Sequence, residues 1–213
     1  MRSARITVLG LPSLVLVAYE VRQPPSWRGS KVKISMSQIE ALYRQAAQTP
    51  SDINEHVERL CELGQECPHI TELGSRGGVS TTAWVAARPK KLVCYDLARH
   101  GTIDLIERAA QAEGVEFVFH VEDVRLASIE PTDLLFIDTL HVYDQLKIEL
   151  ALHADKARRY IVLHDTETFA QRGELPNSVG LWPAVEEFLA AHPEWKLHER
   201  RANNNGLTVL ARA

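Results

Sequence analysis

The chain is poor in the features that would assign a function outright. It has three cysteines in 213 residues, Cys61, Cys67 and Cys94. An odd number without C-x-x-C spacing argues against a disulfide framework or a zinc knuckle. They read as reduced thiols, and Cys94, inside an apolar run, reads as core. There is no excess of positive charge. The formal net charge is −4, so nothing draws the whole chain to nucleic acid. Two local basic pairs, Lys90–Lys91 and Arg158–Arg159, read as solvated ends of elements. No internal repeat or low-complexity segment occurs. No run reaches the roughly 18 apolar residues of a membrane span. The dinucleotide pattern G-x-G-x-x-G is also missing.

What is present is an ordinary globular composition, 45% hydrophobic and 24% charged, at a length that suits one domain. Residues 1–35 read as an N-terminal extension and linker. Residues 36–213 read as a single domain that begins with helices over 36–66. Within residues 1–20, two arginines precede an apolar stretch of signal-peptide length. Pro12 interrupts it and no A-x-A site follows, so it reads as an appended strand or upstream extension. The expected location is cytoplasmic.

From Ile70 onward, short apolar runs alternate with helical patterns. Strands are expected at 70–73, 92–95, 115–120, 133–137 and 160–163. Helices are expected at 79–87, 102–113, 143–156 and 182–191. This rhythm implies a doubly wound, mostly parallel α/β sheet covered on both faces, a Rossmann-like architecture. The tail differs. Trp195–Arg201 and Leu207–Ala211 flank Asn203–Asn204–Asn205–Gly206, the signal of a hairpin. The stretch Thr166–Ser178 breaks the rhythm and is long enough to be a lid over a substrate.

Organisation centres on Ile70–Ser80, ITELGSRGGVS. A strand runs into Glu72, the glycines Gly74, Gly77 and Gly78, and then a helix. Glycines permit a tight turn, and a helix N-terminus offers free N–H groups to a ligand. Ligands of open parallel sheets sit at the carboxyl ends of the strands. Those ends carry Glu72–Gly78, Asp96, Glu122–Asp123, Asp138–His141 and His164–Asp165. Asp96 lies 22 residues beyond Gly74, where an acid takes ribose hydroxyls in nucleotide-binding sheets. Asp123, one strand further out, is placed to reach an adenine amino group, with Glu122 as the competing candidate.

The turn E-L-G-S-R-G-G resembles the first motif of class I S-adenosylmethionine-dependent methyltransferases, E/D-x-G-x-G-x-G. Arg76 stands at the usual middle glycine. The resemblance spans Ser51 to Ala213 and implies a seven-stranded sheet with an antiparallel C-terminal hairpin strand. It implies S-adenosylmethionine as cofactor, held by Glu72, Gly74, Ser75, Arg76, Gly78, Asp96, Leu97, Asp123 and Asp138. The segments L-L-F-I-D-T-L-H and Y-I-V-L-H-D-T are more specific. They resemble the metal-dependent O-methyltransferases that modify macrolide sugars, and their cephalosporin-hydroxylase-like relatives. That resemblance implies a divalent cation such as Mg²⁺ on Asp138, His164 and Asp165, with His141 as general base. Where those relatives have an acid, this chain has His164, and imidazole is a poorer ligand for Mg²⁺. Three alternatives stay open: weaker Mg²⁺ binding, a softer metal such as Mn²⁺ or Fe²⁺, or no metal. The plainer reading is that His141 caps the following helix and His164 is a satisfied strand-end histidine.

His153 is expected in packing, His56 near the methionine end of the cofactor, and Trp84, Trp182 and Trp195 in the core or at its edge. The expected function is methyl transfer from S-adenosylmethionine to a hydroxyl of a small molecule, a sugar or natural product. No nucleic-acid or membrane partner is expected, and a homo-oligomer stays open. The alternatives are an NAD(P)-dependent oxidoreductase, disfavoured by the absent G-x-G-x-x-G and by the expectation of no Y-x-x-x-K pair, and a non-catalytic cofactor-binding protein.

Overall fold

The computed structural model describes residues 37–213, together with the backbone of two paired two-residue strands, Gly10–Leu11 and Leu14–Val15. The expected extension and linker over residues 1–35 otherwise lie outside the described residues.

Helix α1, Gln38–Gln48, starts with a reciprocal cap. Ser37 N–H donates to Glu40 Oε2 at 3.0 Å, and Glu40 N–H donates to Ser37 Oγ at 3.4 Å. This satisfies two of the amides that a helix start leaves unpaired. Before the next helix Ser51 N–H donates to Asn54 Oδ1, a short 3₁₀ turn Asn54–His56 intervenes, and Asp52 pairs with Arg76. Helix α2 is Val57–Gln65.

Seven strands then form one sheet: β1 His69–Leu73, β2 Lys91–Asp96, β3 Glu116–Val121, β4 Thr132–Ile137, β5 Ala157–His164, β6 Trp195–Arg201 and β7 Leu207–Arg212. Their spatial order is β3-β2-β1-β4-β5-β7-β6. β1 to β5 pair in parallel, and β7 is antiparallel to both neighbours. The remaining helices are α3 Val79–Ala86, α4 Gly101–Ala112, α5 Tyr143–His153 and α6 Trp182–Ala191. The helix expected over 143–156 ends at His153 and tightens into a 3₁₀ turn, Ala154–Lys156. The strand expected over 160–163 begins three residues earlier, because Ala157 pairs with Thr132.

Neighbouring residues of the central strands face opposite layers, as strand geometry requires. Leu134, Phe136, Tyr160 and Val162 pack with α1 to α4 around Trp84. Leu135, Ile137, Ile161 and Leu163 pack with α5 and α6 around Trp195. Trp182, half-buried, lies at the edge of that second layer beneath the Arg200 guanidinium. Burying each such aliphatic side chain contributes on the order of 1.5–3 kcal/mol before entropy. This two-sided burial explains why these strands read as continuous apolar runs. It also leaves the carboxyl ends of β1, β2, β4 and β5 as a polar edge.

Candidate active site

At the end of β1 the chain makes the turn that the glycines anticipated. Gly74 has φ +86°, and a Cβ there would lie 2.0 Å from the backbone oxygen of Asp138. Only glycine lets the two strand ends approach this closely. Gly78 has φ +82° and starts α3; a Cβ there would meet Ile106 Cδ1 at 2.4 Å. Arg76, φ +40°, adopts the left-handed turn itself, whereas Gly77 is unconstrained. The turn is thus built with arginine in a conformation that glycine takes more easily. The exposed ion pair with Asp52, 2.7 Å, fixes its side chain.

Several expected cofactor residues support this turn rather than line the cleft. Glu72 is wholly buried. It accepts from Ser75 Oγ, Ser80 Oγ, Thr81 Oγ1 and Trp84 Nε1 at 2.6–3.2 Å, and burial raises its pKa. Its carboxylate has no face toward a ligand, which corrects the expectation of a direct contact. Asp96 Oδ2 accepts the amides of Ser75 at 2.9 Å and Arg76 at 2.7 Å, and Oδ1 accepts that of Ala98. Its carboxylate braces the turn from the neighbouring strand. Leu97 beside it is exposed. Asp123 is engaged by its own neighbour: the Arg125 guanidinium binds both oxygens and holds the carboxyl down at about 2.

The open cleft beside the turn has a volume of about 370 Å³ and is bounded by Ser75, Arg76, Ser80, Asp138, His141, Asp165 and Glu174, among others. That volume falls in the range of small-molecule sites. Of the cofactor residues expected from the sequence, Ser75, Arg76 and Asp138 face it.

The far wall belongs to a cluster of two carboxylates and two imidazoles at the ends of β4 and β5, of which Asp138, His141 and Asp165 line the cleft and His164 is buried beside them. Asp138 Oδ1 is 3.2 Å from His141 Nε2 and 3.3 Å from His164 Nδ1. Asp165 Oδ2 is 2.9 Å from His141 Nε2 and 3.2 Å from His164 Nδ1. Each imidazole therefore bridges both carboxylates. Each ring also anchors its far nitrogen: His141 Nδ1 on Glu174 Oε2 at 3.0 Å, His164 Nε2 on the Asn204 carbonyl at 3.3 Å. The His141 ring stacks on Phe169 with centroids 4.9 Å apart. Asp165 sits at φ +58°, and its Oδ1 is buried with no partner.

The electrostatics are reciprocal. Burial disfavours the charged form of all four groups. The hydrogen bonds nevertheless raise His141 and His164 to about 10, and hold Asp138 and Asp165 below the usual carboxylate range. The cluster is two ion pairs of zero net charge.

These residues fit a cation. Asp138, His141 and Asp165 each offer a ligand atom within 4.8 Å of the others, and His164 Nδ1 adjoins both carboxylates. The orphaned Asp165 oxygen is a further unused acceptor. His141, expected as base alone, stands as close to the carboxylates as a ligand does. It does not cap α5; Val142 is the N-cap residue.

Three contributors escape the sequence reading. Glu174, in the expected lid, reaches back 33 residues to His141. The hairpin turn supplies the Asn203 and Asn204 carbonyls to His56, at 3.0 and 3.2 Å, and the Asn204 carbonyl to His164. His56 is thus buried against the turn, its ring edge-on to His164. Glu149 of α5 is fully buried beneath the loop after β4. It accepts from Thr139 Oγ1 at 2.6 Å and Gln145 Nε2 at 2.7 Å, and burial raises it to about 7. Contrary to expectation, Tyr143 and Lys147 have the Y-x-x-x-K spacing of a nicotinamide site. They lie on the exposed side of α5, paired with Glu187, and do not line the cleft. His153 packs in the core and bonds to the Val124 carbonyl.

No protein-family model and no curated protein sequence matches the chain. Solved structures do. The O-methyltransferase TomG from Streptomyces achromogenes, in complex with S-adenosylmethionine, is 18% identical with TM-score 0.57, over 84% of this chain and 91% of that one. An O-methyltransferase from Bacillus cereus in complex with S-adenosylhomocysteine is 17% identical with TM-score 0.56, over 85% and 94%. The S-adenosylhomocysteine-bound methyltransferase PaMTH1 from Podospora anserina is 14% identical with TM-score 0.53, over 83% and 88%. The chain has the α/β fold of these methyltransferases, with the seven-stranded mixed sheet and antiparallel C-terminal hairpin that the sequence implied. Among the described residues, no helix is long and apolar enough to cross a membrane.

Proposed function

We propose that the protein is an S-adenosylmethionine-dependent O-methyltransferase whose acceptor is a hydroxyl of a small molecule. The observation that carries this reading is the convergence of Asp138, His141 and Asp165 on a cleft shared with the glycine turn, with His164 buried against both carboxylates. S-adenosylmethionine supplies an electrophilic methyl group for in-line displacement. Ser75 and Arg76, the turn residues that line the cleft, would hold its amino-acid and ribose portions, with Asp96 and Leu97 at the rim and Asp123 further out. The likeness in fold to structures that contain S-adenosylmethionine or its product supports that placement.

An alkyl hydroxyl does not ionise unaided at neutral pH, so the protein must remove its proton. His141 Nε2 is the group placed to accept it. Glu174 holds Nδ1–H, and Phe169 holds the plane of the ring. As the cluster stands, His141 keeps its own proton well above neutral pH. A divalent cation on Asp138, Asp165 and His164 would supply the positive charge that this proton now supplies, and would acidify a bound hydroxyl. An amine acceptor would need neither device, so the cluster favours oxygen.

The first test is calorimetry with S-adenosylhomocysteine against NAD, followed by methyl transfer to a panel of hydroxylated small molecules with and without chelator. His141→Ala should abolish turnover while S-adenosylhomocysteine binding stays within about twofold of wild type. Unchanged turnover would remove His141 as the base, and binding of NAD alone would sink the whole reading.

A further inference from the structure

We propose that the cluster at the ends of β4 and β5 selects an imidazole-accepting first-row transition ion over Mg²⁺, with His164 Nδ1 as the selecting ligand. The inference deepens the proposed function and rests on it for the role of the ion. The binding preference itself follows from the residues.

The argument begins with the tautomer of His164. Its Nε2 faces the Asn204 carbonyl at 3.3 Å, an acceptor only, so that nitrogen carries a hydrogen. The other nitrogen, Nδ1, faces Asp138 Oδ1 and Asp165 Oδ2, which are also acceptors. A neutral ring would aim its lone pair at two carboxylates. The arrangement is stable only with a positive centre between them, either a proton on Nδ1 or a metal ion.

The surroundings are those of a ligand rather than of a surface ion pair. The His164 side chain is 1% exposed. Its far N–H donates to a backbone carbonyl, the second contact that orients most metal-bound imidazoles. That carbonyl belongs to a turn pinned on two sides. Asn204 Nδ2 donates to the Ser51 carbonyl, and the amides of Glu167 and Thr168 donate to Asn205 O. The ring cannot easily swing away. Asp165, 4% exposed, retains an oxygen without any donor. Each imidazole nitrogen stands 2.9–3.3 Å from the two carboxylate oxygens, close to the roughly 3–3.4 Å that separates ligands bonded at about 2.0–2.2 Å to one ion.

The donor set then decides the ion. Mg²⁺ prefers oxygen and keeps its waters. Imidazole suits Zn²⁺, Co²⁺, Fe²⁺ and Cu²⁺, and affinity rises along the Mn²⁺ to Cu²⁺ series for nitrogen-containing sites. One buried imidazole that cannot turn away therefore favours transition ions over Mg²⁺.

The test uses the full chain, freed of metal, titrated calorimetrically with CoCl₂, MnCl₂ and MgCl₂. Nitrogen coupling is read from the electron paramagnetic resonance of the Mn²⁺ form. The expected result is Co²⁺ binding at least 100-fold tighter than Mg²⁺, with imidazole nitrogen coupled to Mn²⁺. In His164→Asp the Co²⁺ to Mg²⁺ ratio should fall at least tenfold, through tighter Mg²⁺ binding, weaker Co²⁺ binding or both. Co²⁺ and Mg²⁺ within tenfold in the wild type, absence of nitrogen coupling, no metal binding at all, or an unchanged ratio in a folded His164→Asp would each overturn the proposal. Should that variant unfold, His164→Gln serves in its place, and the wild-type ratio and spectrum decide in any case. S-adenosylhomocysteine binding is measured in parallel. Its absence beside the expected metal preference would reject the methyltransferase reading and leave the metal site. Its presence without metal binding would do the reverse.

Discussion

At the end of β1 the backbone of Gly74 lies against that of Asp138, and the Cβ added by Gly74→Ala would force the two apart. Two costs add. Alanine in the left-handed region costs about 1–2 kcal/mol. The new Cβ would sit 2.0 Å from the Asp138 carbonyl oxygen and 2.7 Å from its carbonyl carbon. Both are backbone atoms, so no rotamer change relieves them, and overpacking of this kind costs about 1–3 kcal/mol more. The sum, roughly 2–5 kcal/mol, is a large share of the 5–15 kcal/mol that stabilises an ordinary domain. At this chain length, each kcal/mol shifts Tm by about 2–4 °C, so Tm should fall by roughly 4–20 °C. Gly77→Ala is the matched control. It changes the same turn, but no atom lies within 4 Å of its new Cβ and its φ is not left-handed. Its effect should stay within about 0.5 kcal/mol. Urea denaturation followed by circular dichroism, with equal m-values, compares the two. Coincident midpoints for both variants would refute the claim that this contact welds the glycine turn to the Asp138 strand.

Two further outcomes are expected. Glu174 anchors the far nitrogen of His141, and loss of such a partner typically costs 10–100-fold. Glu174→Ala should therefore lower kcat by about that factor with KM for S-adenosylmethionine unchanged. Glu174→Gln, which keeps an acceptor, should lose less, and wild-type kcat in both would discard the anchoring role. Burial raises Glu149 to about 7 from its ordinary 4.5. Between these pH values the folded chain holds a proton there that the unfolded chain has released. Stability from this group is complete below about pH 4.5 and declines as pH rises to 7, by roughly 3 kcal/mol at most. Glu149→Gln should flatten that part of the pH–stability curve measured by urea unfolding; an unchanged slope would show that Glu149 is not its source.

The sheet was legible because burial on two faces imposes an apolar run on each central strand, and the run ends where the chain emerges at the polar edge. That is why Asp96, Asp138 and Asp165 could be placed from the sequence, and why the β4–β5 adjacency followed from the resemblance. Residue roles were less legible than positions. Glu72 stands at a strand end like Asp96, yet the hydroxyls of Ser75, Ser80 and Thr81 and the indole of Trp84 close over it. No local pattern distinguishes an acid that faces a ligand from one that is consumed by its own helix. Glu174 and Glu149 were illegible for another reason. Each meets its partner only after the loop or helix that carries it has packed, and a lone acid in a polar stretch or helix has no spacing that foretells this. Arg76 is the opposite case: the sequence puts arginine where the motif has glycine, and the structure keeps it in a left-handed turn at φ +40°.

The hairpin turn joins these threads. The turn at Asn203–Gly206 follows from turn chemistry, since asparagine and glycine tolerate positive φ, and Asn204, Asn205 and Gly206 all take it. Its effect on the site does not. β7 pairs antiparallel with β5, placing Leu207 opposite His164. The turn just before β7 therefore emerges at the carboxyl end of β5, beside the cluster. An antiparallel strand is what makes this geometry available, because a parallel strand in that slot would begin at the far edge of the sheet. The tail thus completes the site physically: it supplies the carbonyl that fixes the His164 tautomer, receives His56, and ties both to the helical segment before β1 through Asn204 and Ser51. A chain cut before β6 would lose the contact that aims Nδ1 at the carboxylates, even with every proposed metal ligand still present.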